Sequence, residues 1–241
     1  MRPMAGIFGP EEDWPAQDLI ALSEDLDPDT VLAGYACGVF PMPLPYTQFN
    51  VRMGWWSPMQ RGVLPLDALR VTKSLRQATK HFVTTVDADF AAVIARCADP
   101  TRPHGWIEPE IAAVYVDLHR RGFAHSVEVW TRDGRLAGGL YGISLGGLFA
   151  GESMFHDPVI GRDASKVALV RLVDLLSADG VERIIDTQWL TPHLATLGAL
   201  DIDRRDYLDL VDELVTLPPP DWTSAARKPP PPLRDASPGL G

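Results

Sequence analysis

The sequence predicts an α+β fold, with helices covering a mainly antiparallel sheet. Two observations carry this. Between Pro109 and Thr191 the apolar period switches from helical to alternating and back, in the order helix, three strands, helix, strand, helix. The first two of those strands meet at Asp133-Gly134, a pair that favours a tight hairpin turn.

The N-terminal 60 or so residues are rich in Pro, Gly and aromatics, and residues 1–62 read as a small N-terminal domain. Asp27 followed by Pro28 marks a helix start, with Asp27 as cap and Pro28 in the first turn of a helix running toward Gly38. Val39 to Pro45 alternates proline with apolar residues and is expected to be irregular. A catalytic domain over 63–217 follows. Ser74 to His81 opens a helix with Leu75 and Ala78 inward. Pro109 to Arg121 is amphipathic, with Ile111, Val114, Tyr115 and Leu118 on one stripe and Gly122 closing it. Ala124–Trp130, Arg135–Ile143 and Gly147–Met154 alternate like strands. Ala164–Ala178 is a helix ended by Gly180, Val181–Trp189 is a strand, and Thr191-Pro192 caps another helix. This order fits an acetyltransferase-like (GNAT-type) domain. The last 24 residues hold eight prolines, four of them consecutive, and 218–241 is expected to be a disordered tail.

Composition narrows the function. A formal charge of −10 argues against extended nucleic-acid binding, though not against a local basic patch at one end of a nucleic acid. No apolar run is long enough for a membrane span, and Met1 to Trp14 lacks a signal-peptide layout. Two distant cysteines, Cys37 and Cys97, point to a reducing cytoplasm rather than a disulfide scaffold.

Three groups of residues could carry chemistry. Asp186 and Gln188 lie two apart on a strand, on one face, roughly 6.5–7 Å apart at Cα. An acid on an apolar strand is costly unless paired or used; the alternative is an Asp that accepts hydrogen bonds from the following turn. Glu152 sits in the apolar, glycine-flanked run Gly151-Glu152-Ser153-Met154-Phe155, where a solvent-facing strand position is the competing reading. Lys73, Arg76 and Lys80 form one basic stripe if their segment is helical, which is either a solvated face or a contact for a few phosphates. His125 reads as a structural histidine, and His104, His156 and His193 show no metal-ligand spacing.

Several segments, in order from about Tyr35 to Tyr207, together resemble one family. They are Trp55-Trp56-Ser57-Pro58, Arg61-Gly62-Val63-Leu64-Pro65, the strand from Ala124 to Trp130, Gly138-Gly139-Leu140-Tyr141-Gly142, Gly151 to Phe155, Ala164-Ser165-Lys166, Ile185 to Gln188 and Leu197-Gly198-Ala199. Their combination is similar to the bacterial leucyl/phenylalanyl-tRNA–protein transferases. The resemblance implies transfer of Leu, Phe or Met from aminoacyl-tRNA to proteins beginning with Lys or Arg. The product is a destabilising N-terminus, an N-degron for proteolysis, and no metal or prosthetic group takes part. With it goes the expectation that Asp186 orients and polarises Gln188, that Gln188 hydrogen-bonds the attacking amine or the reacting carbonyl and relays the amine proton toward Asp186, and that Glu152 meets the cationic Lys or Arg acceptor. The donor side chain would enter a pocket of Leu140, Phe149, Met154, Leu169, Leu172, Leu176 and Ile185. The terminal adenosine would stack on Trp106, and the second stacking position is Met42, where the family carries tryptophan. Lys73, Arg76 and Lys80 would touch tRNA phosphates. The segment Phe155 to Asp163 is longer than the family's usual linker. A cytoplasmic monomer without membrane contact is expected.

Two other readings compete. A coenzyme-A-dependent N-acetyltransferase needs a glycine-rich pyrophosphate loop before the helix that follows the third strand, and here His156 to Asp163 holds one glycine and two acids. A non-catalytic adaptor for basic N-termini would need neither Asp186 and Gln188 on one strand nor an apolar donor pocket.

Overall fold

The computed structural model describes residues 7–44, 53–102 and 105–226. His104, the Pro229–Pro232 run and the first six residues lie outside the described residues. In chain order the elements are β1 (Leu19–Ser23), α1 (Pro28–Ala36), β2 (Phe40–Pro43), β3 (Met53–Trp56), β4 (Gln60–Pro65), α2 (Lys73–Ala78), β5 (Phe82–Val86), α3 (Phe90–Cys97) and α4 (Pro109–Arg120). They continue as β6 (Ala124–Thr131), β7 (Leu136–Leu145), β8 (Leu148–His156), α5 (Ala164–Leu176), β9 (Ile184–Gln188), α6 (Pro192–Leu197), β10 (Leu200–Asp203), α7 (Arg204–Leu214) and α8 (Trp222–Ala226).

The strands form two sheets. A three-stranded antiparallel sheet runs β1-β3-β2, and a seven-stranded sheet runs β10-β4-β9-β8-β7-β6-β5. In the larger sheet every neighbouring pair is antiparallel except β8 and β9, which are parallel. The fold is therefore mixed α and β, with a mainly antiparallel sheet. One face packs on α5, where Leu140, Phe149 and Ile185 of the sheet meet Leu169 and Leu172. The opposite face packs on α1, α3 and α4, where Tyr35, Val93 and Tyr115 meet Tyr141 and Ala150. Each fully buried leucine or phenylalanine contributes roughly 1.5–3 kcal/mol, so burial on both faces holds the sheet between its helices.

Local signals explain most elements. Asp27 Oδ1 accepts from the Asp29 and Thr30 N–H groups at 3.0 and 2.9 Å, the cap that starts α1. Thr72 and Thr191 cap α2 and α6 in the same way. Gly134 turns the β6–β7 hairpin at φ 83°, and Gly180 leaves the α5 turn at φ 73°.

Three expectations are corrected. The proline-rich stretch after Val39 is partly regular: Phe40–Pro43 is β2, at the edge of the small sheet. Pro41 and Pro43 alternate with the residues whose N–H groups face β3, so their missing donors fall on the open edge. The 62/63 boundary falls inside β4, which belongs wholly to the large sheet. The span expected to be tail contains an anchored element, α8. Trp222 opens α8, is buried, stacks on His125 at 4.1 Å between centroids, and donates Nε1–H to Ser144 Oγ at 3.1 Å. One large aromatic ring thus ties a proline-rich segment to the sheet.

Candidate active site

The site lies where β8 and β9 part. Their parallel pairing runs through Leu148↔Ile184, Phe149↔Ile185 and Ala150↔Asp186. Beyond it both strands continue unpaired with each other, and a wedge opens at their carboxyl ends, where sheets containing parallel strands commonly bind ligands. The wedge holds a cavity of about 190 Å³. Leu140, Phe149, Met154, Leu169, Leu172 and Ile185 line it, together with Leu64 and Leu194, and Glu152, Thr187 and Gln188 border it. Of the seven residues expected to form a donor pocket, only Leu176 does not line it; that side chain is buried in the core below.

Two irregularities aim the polar side chains. On β8, Tyr141 faces Ser153 and Gly142 faces Gly151, so Glu152 is the extra residue of a bulge. On β9, Gly62 faces Gln188 and Val63 faces Asp186, so Thr187 is the extra residue there. Gln188 then adopts φ 60°, a left-handed conformation unusual for a non-glycine residue. Gly62 is what admits it. A Cβ at Gly62 would lie 2.6 Å from Leu190 N and 2.7 Å from Trp189 C.

Asp186 differs from what its spacing suggested. It is 0% exposed. Arg61 Nε donates to Oδ1 at 2.8 Å and Nη2 donates to Oδ2 at 2.6 Å, a two-pronged buried ion pair. Tyr207 OH donates to Oδ2 at 2.8 Å, and the Gln188 N–H donates to Oδ1 at 2.9 Å. The Arg61 guanidinium also lies between the Phe40 and Tyr207 rings and donates Nη1–H to Gly38 O. Burial alone would depress the proton affinity of Arg61; the Asp186 charge outweighs it and holds the guanidinium above its usual range. Asp186 therefore shares no open face with Gln188 and does not border the cavity. It touches Gln188 through the main chain only, and the expected proton transfer to Asp186 meets a carboxylate already filled by four donors.

Glu152 is the open counterpart. Tyr115 OH donates to its Oε2 at 2.9 Å, and Tyr35 OH stands 2.9 Å behind Tyr115 OH. Gln188 Nε2 donates to Oε1 at 3.3 Å. Burial pushes the Glu152 carboxyl up to about 7, against the opposite pull of the Tyr35 and Tyr115 hydroxyls. Burial, reinforced by the Glu152 charge, holds both tyrosines neutral, well above their usual range. With Nε2 engaged, Gln188 Oε1 has no hydrogen-bond partner among the described residues.

The remaining expected residues are dispersed. Trp106 is partly exposed and edge-on to Tyr115 at 6.4 Å between centroids, on the Glu152 side. Met42, also partly exposed, is on β2, where its carbonyl accepts from Trp56 Nε1 at 3.5 Å. Lys73, Arg76 and Lys80 are exposed on α2 and the turn after it, and none lines the cavity. His125 is structural, with Nδ1 2.7 Å from Asp87 Oδ2. A larger cavity of about 930 Å³, bordered by Trp14, Phe123 and Leu208, contains none of these residues.

Sequence reasoning missed Arg61, Tyr35, Tyr115 and Tyr207. Tyr115 does fall on the apolar stripe of α4, where its hydroxyl gives no sign of a distant partner. Arg61 carried a weak signal, since it is a charged residue opening the apolar run Gly62-Val63-Leu64.

Comparison with known proteins identifies the family of this chain. Residues 63–212 match the family model for leucyl/phenylalanyl-tRNA protein transferase, and residues 24–59 match that for its N-terminal domain. The chain is 49% identical over 191 residues to a leucyl/phenylalanyl-tRNA–protein transferase of Rhizorhabdus wittichii, covering 78% of this chain and 74% of that one. It is 46% identical over 202 residues to one of Rhodopseudomonas palustris, covering 82% and 86%. Among solved structures, the C-terminal domain of a putative lysylphosphatidylglycerol synthetase from Agrobacterium fabrum aligns at TM-score 0.39 and 12% identity, over 70% of this chain and 55% of that chain. On the two family models and the curated relatives, the chain belongs to the leucyl/phenylalanyl-tRNA–protein transferase family.

Proposed function

We propose that this chain moves Leu, Phe or Met from aminoacyl-tRNA to the α-amine of proteins that begin with Lys or Arg. The observation that carries this reading is the pairing of an apolar cavity with Glu152 and Gln188 at its rim. A cavity of roughly 150 Å³ lined by Leu, Ile and Phe holds a benzene ring, so one of about 190 Å³ takes a leucine, methionine or phenylalanine side chain. Its aminoacyl carbonyl then lies at the rim. The splay of β8 and β9 supports the acetyltransferase-like (GNAT-type) reading of the large domain, since acyl groups enter such a wedge.

The donor ester is already activated, so positioning supplies most of the acceleration. The acceptor arrives as an ammonium with an ordinary pKa near 7.7–8.0. Glu152, with a pKa of about 7, pairs with the cationic acceptor and takes one ammonium proton. Gln188 Oε1 accepts from a remaining N–H and orients the nitrogen lone pair at the carbonyl carbon. The new C–N bond forms, the bond to the ribose 3′-oxygen breaks, and a second amine proton leaves with that oxygen. Asp186 is a positioning residue: with Arg61 and Tyr207 it anchors the Gln188 main chain in its left-handed conformation. Trp106, with Met42 in the second place, supports the terminal adenosine. Lys73, Arg76 and Lys80 touch the nucleic acid farther from the reacting end. No step calls for a metal or prosthetic group. Among the described residues no helix is long and apolar enough to cross a membrane. We read the protein as a cytoplasmic monomer whose products carry a destabilising N-terminus.

The test is transfer from charged Leu-tRNA and Phe-tRNA to two peptides, one beginning with Arg and one with Ala. Label on the Arg peptide alone is the expected result. Label on neither contradicts the reading. Label on both contradicts the acceptor rule.

A further inference from the structure

A second cleft, of about 750 Å³, adjoins the aminoacyl cavity and shares Met154 and Leu194 with it. Its walls are the end of β8, the loop into α5, the first turn of α5 and the start of α6. They carry three permanent cations, Arg102, Arg162 and Lys166, against one carboxylate, Asp163, in a chain whose net charge is −10. His156 and His193 stand at its edge.

Arg102 and Arg162 form no ion pair among the described residues. Arg102 donates to main-chain carbonyls, Cys97 O at 2.8 Å and Met154 O at 2.6 Å, which fixes the guanidinium at the cleft; the carboxylate it is coupled to, Asp99, does not line the cleft. Only Lys166 is paired, with Asp163 Oδ1 at 2.8 Å. Ser165 is 7% exposed, lines the cleft, and its hydroxyl has no hydrogen-bond partner among the described residues. The hydroxyl opens onto the cleft, where it is available to a ligand. The Ser165 and Lys166 N–H groups, in the first turn of the 13-residue α5, are likewise unpaired among the described residues. Hydroxyl, N–H groups and cations together are a donor set for an anion of phosphate size.

We infer that this cleft holds the phosphodiester of the nucleotides just before the terminal adenosine of the donor tRNA. The inference rests on the transfer reading above. It assigns recognition of the acceptor end to Arg102, Arg162, Lys166 and Ser165, side chains set beside the reacting ester.

The test compares three donors with an Arg-initiated peptide: Phe-tRNA, the trinucleotide CCA esterified with Phe, and 3′-O-phenylalanyl-adenosine, which has no phosphate. Arg162→Glu and Ser165→Ala are each measured with all three. The expected result is a rise in KM of about tenfold for the first two donors in Arg162→Glu, with a shallower salt dependence, and a smaller rise in Ser165→Ala. Kinetics with phenylalanyl-adenosine stay at the wild-type value, which also certifies the fold. Equal losses with all three donors, or no change with any, overturn the phosphodiester site while leaving the transfer reading intact. A wild-type protein inactive with every donor overturns the transfer reading, and this inference with it.

Discussion

Asp186 and Glu152 stand on neighbouring strands, 34 residues apart in sequence, in opposite circumstances. Asp186 is sealed, and a cation meets both of its oxygens. Glu152 is partly exposed at the cavity rim, and the donors that touch it are neutral, Tyr115 OH and Gln188 Nε2. A buried carboxylate matched by Arg61 is a fixed piece of scaffold. A carboxylate met only by dipoles keeps a proton affinity near 7 and is free to exchange a proton with a substrate. The residue most conspicuous in sequence is thus sealed in an ion pair, and the less conspicuous one faces the cavity.

The sharpest way to break this contrast is Arg61→Met. It leaves Asp186 buried without its cation, and about 3–5 kcal/mol of stability is expected to be lost. Chemical denaturation measures it. A loss under 1 kcal/mol would mean that the pair is not the scaffold described.

Glu152→Gln is expected to act in the opposite sense. Transfer falls about 100-fold, while stability at pH 8 holds or rises by on the order of 1 kcal/mol. The sign follows from the raised pKa. Between the ordinary glutamate value and about 7 the native state retains a proton that the unfolded chain has released, so the carboxyl's contribution declines as pH rises through that window. The glutamine variant lacks that decline. Unfolding of both proteins at pH 5 and pH 8 separates the two slopes. Tyr115→Phe sharpens the same point, because removing a hydrogen bond that favours the carboxylate moves the acid limb of the transfer profile to higher pH.

Smaller effects test the cavity and the outer basic stripe. Leu169→Ala enlarges the cavity on the α5 side, and the ratio of Phe to Leu transfer is expected to rise about tenfold, measured by competition between the two charged tRNAs. Replacing Lys73, Arg76 and Lys80 together by Ala is expected to raise KM for aminoacyl-tRNA about threefold and flatten its salt dependence. Stability should change by less than about 0.5 kcal/mol, since all three are exposed.

What the sequence disclosed follows the range of the interactions. The β6–β7 hairpin, α5 and the capped starts of α1 and α6 rest on neighbours within a few residues, and they read directly. Six of the seven residues that the family resemblance implied for a donor pocket line the cavity, and local period contributed only the shared helix face of Leu169 and Leu172. The Asp186 surroundings did not. Arg61 is 125 residues away and Tyr207 is 21, and no local pattern joins them. The Glu152 and Thr187 bulges break the alternation on which face assignments depend, so Asp186 and Gln188 were placed on one open face when only Gln188 reaches the cavity. β2 escaped because proline reads as a breaker, whereas an edge strand tolerates it. Trp222 escaped because composition around it describes a tail, and one buried ring reverses that locally.

The most direct test of the central claim is the single-turnover rate of transfer from Phe-tRNA to an Arg-initiated peptide, followed across pH 5 to 9 for the wild type and Glu152→Gln. The account predicts a wild-type rate that rises through a pKa of about 7 and a glutamine variant about 100-fold slower with that limb gone. A glutamine variant that keeps the wild-type rate and the same rising limb would contradict it.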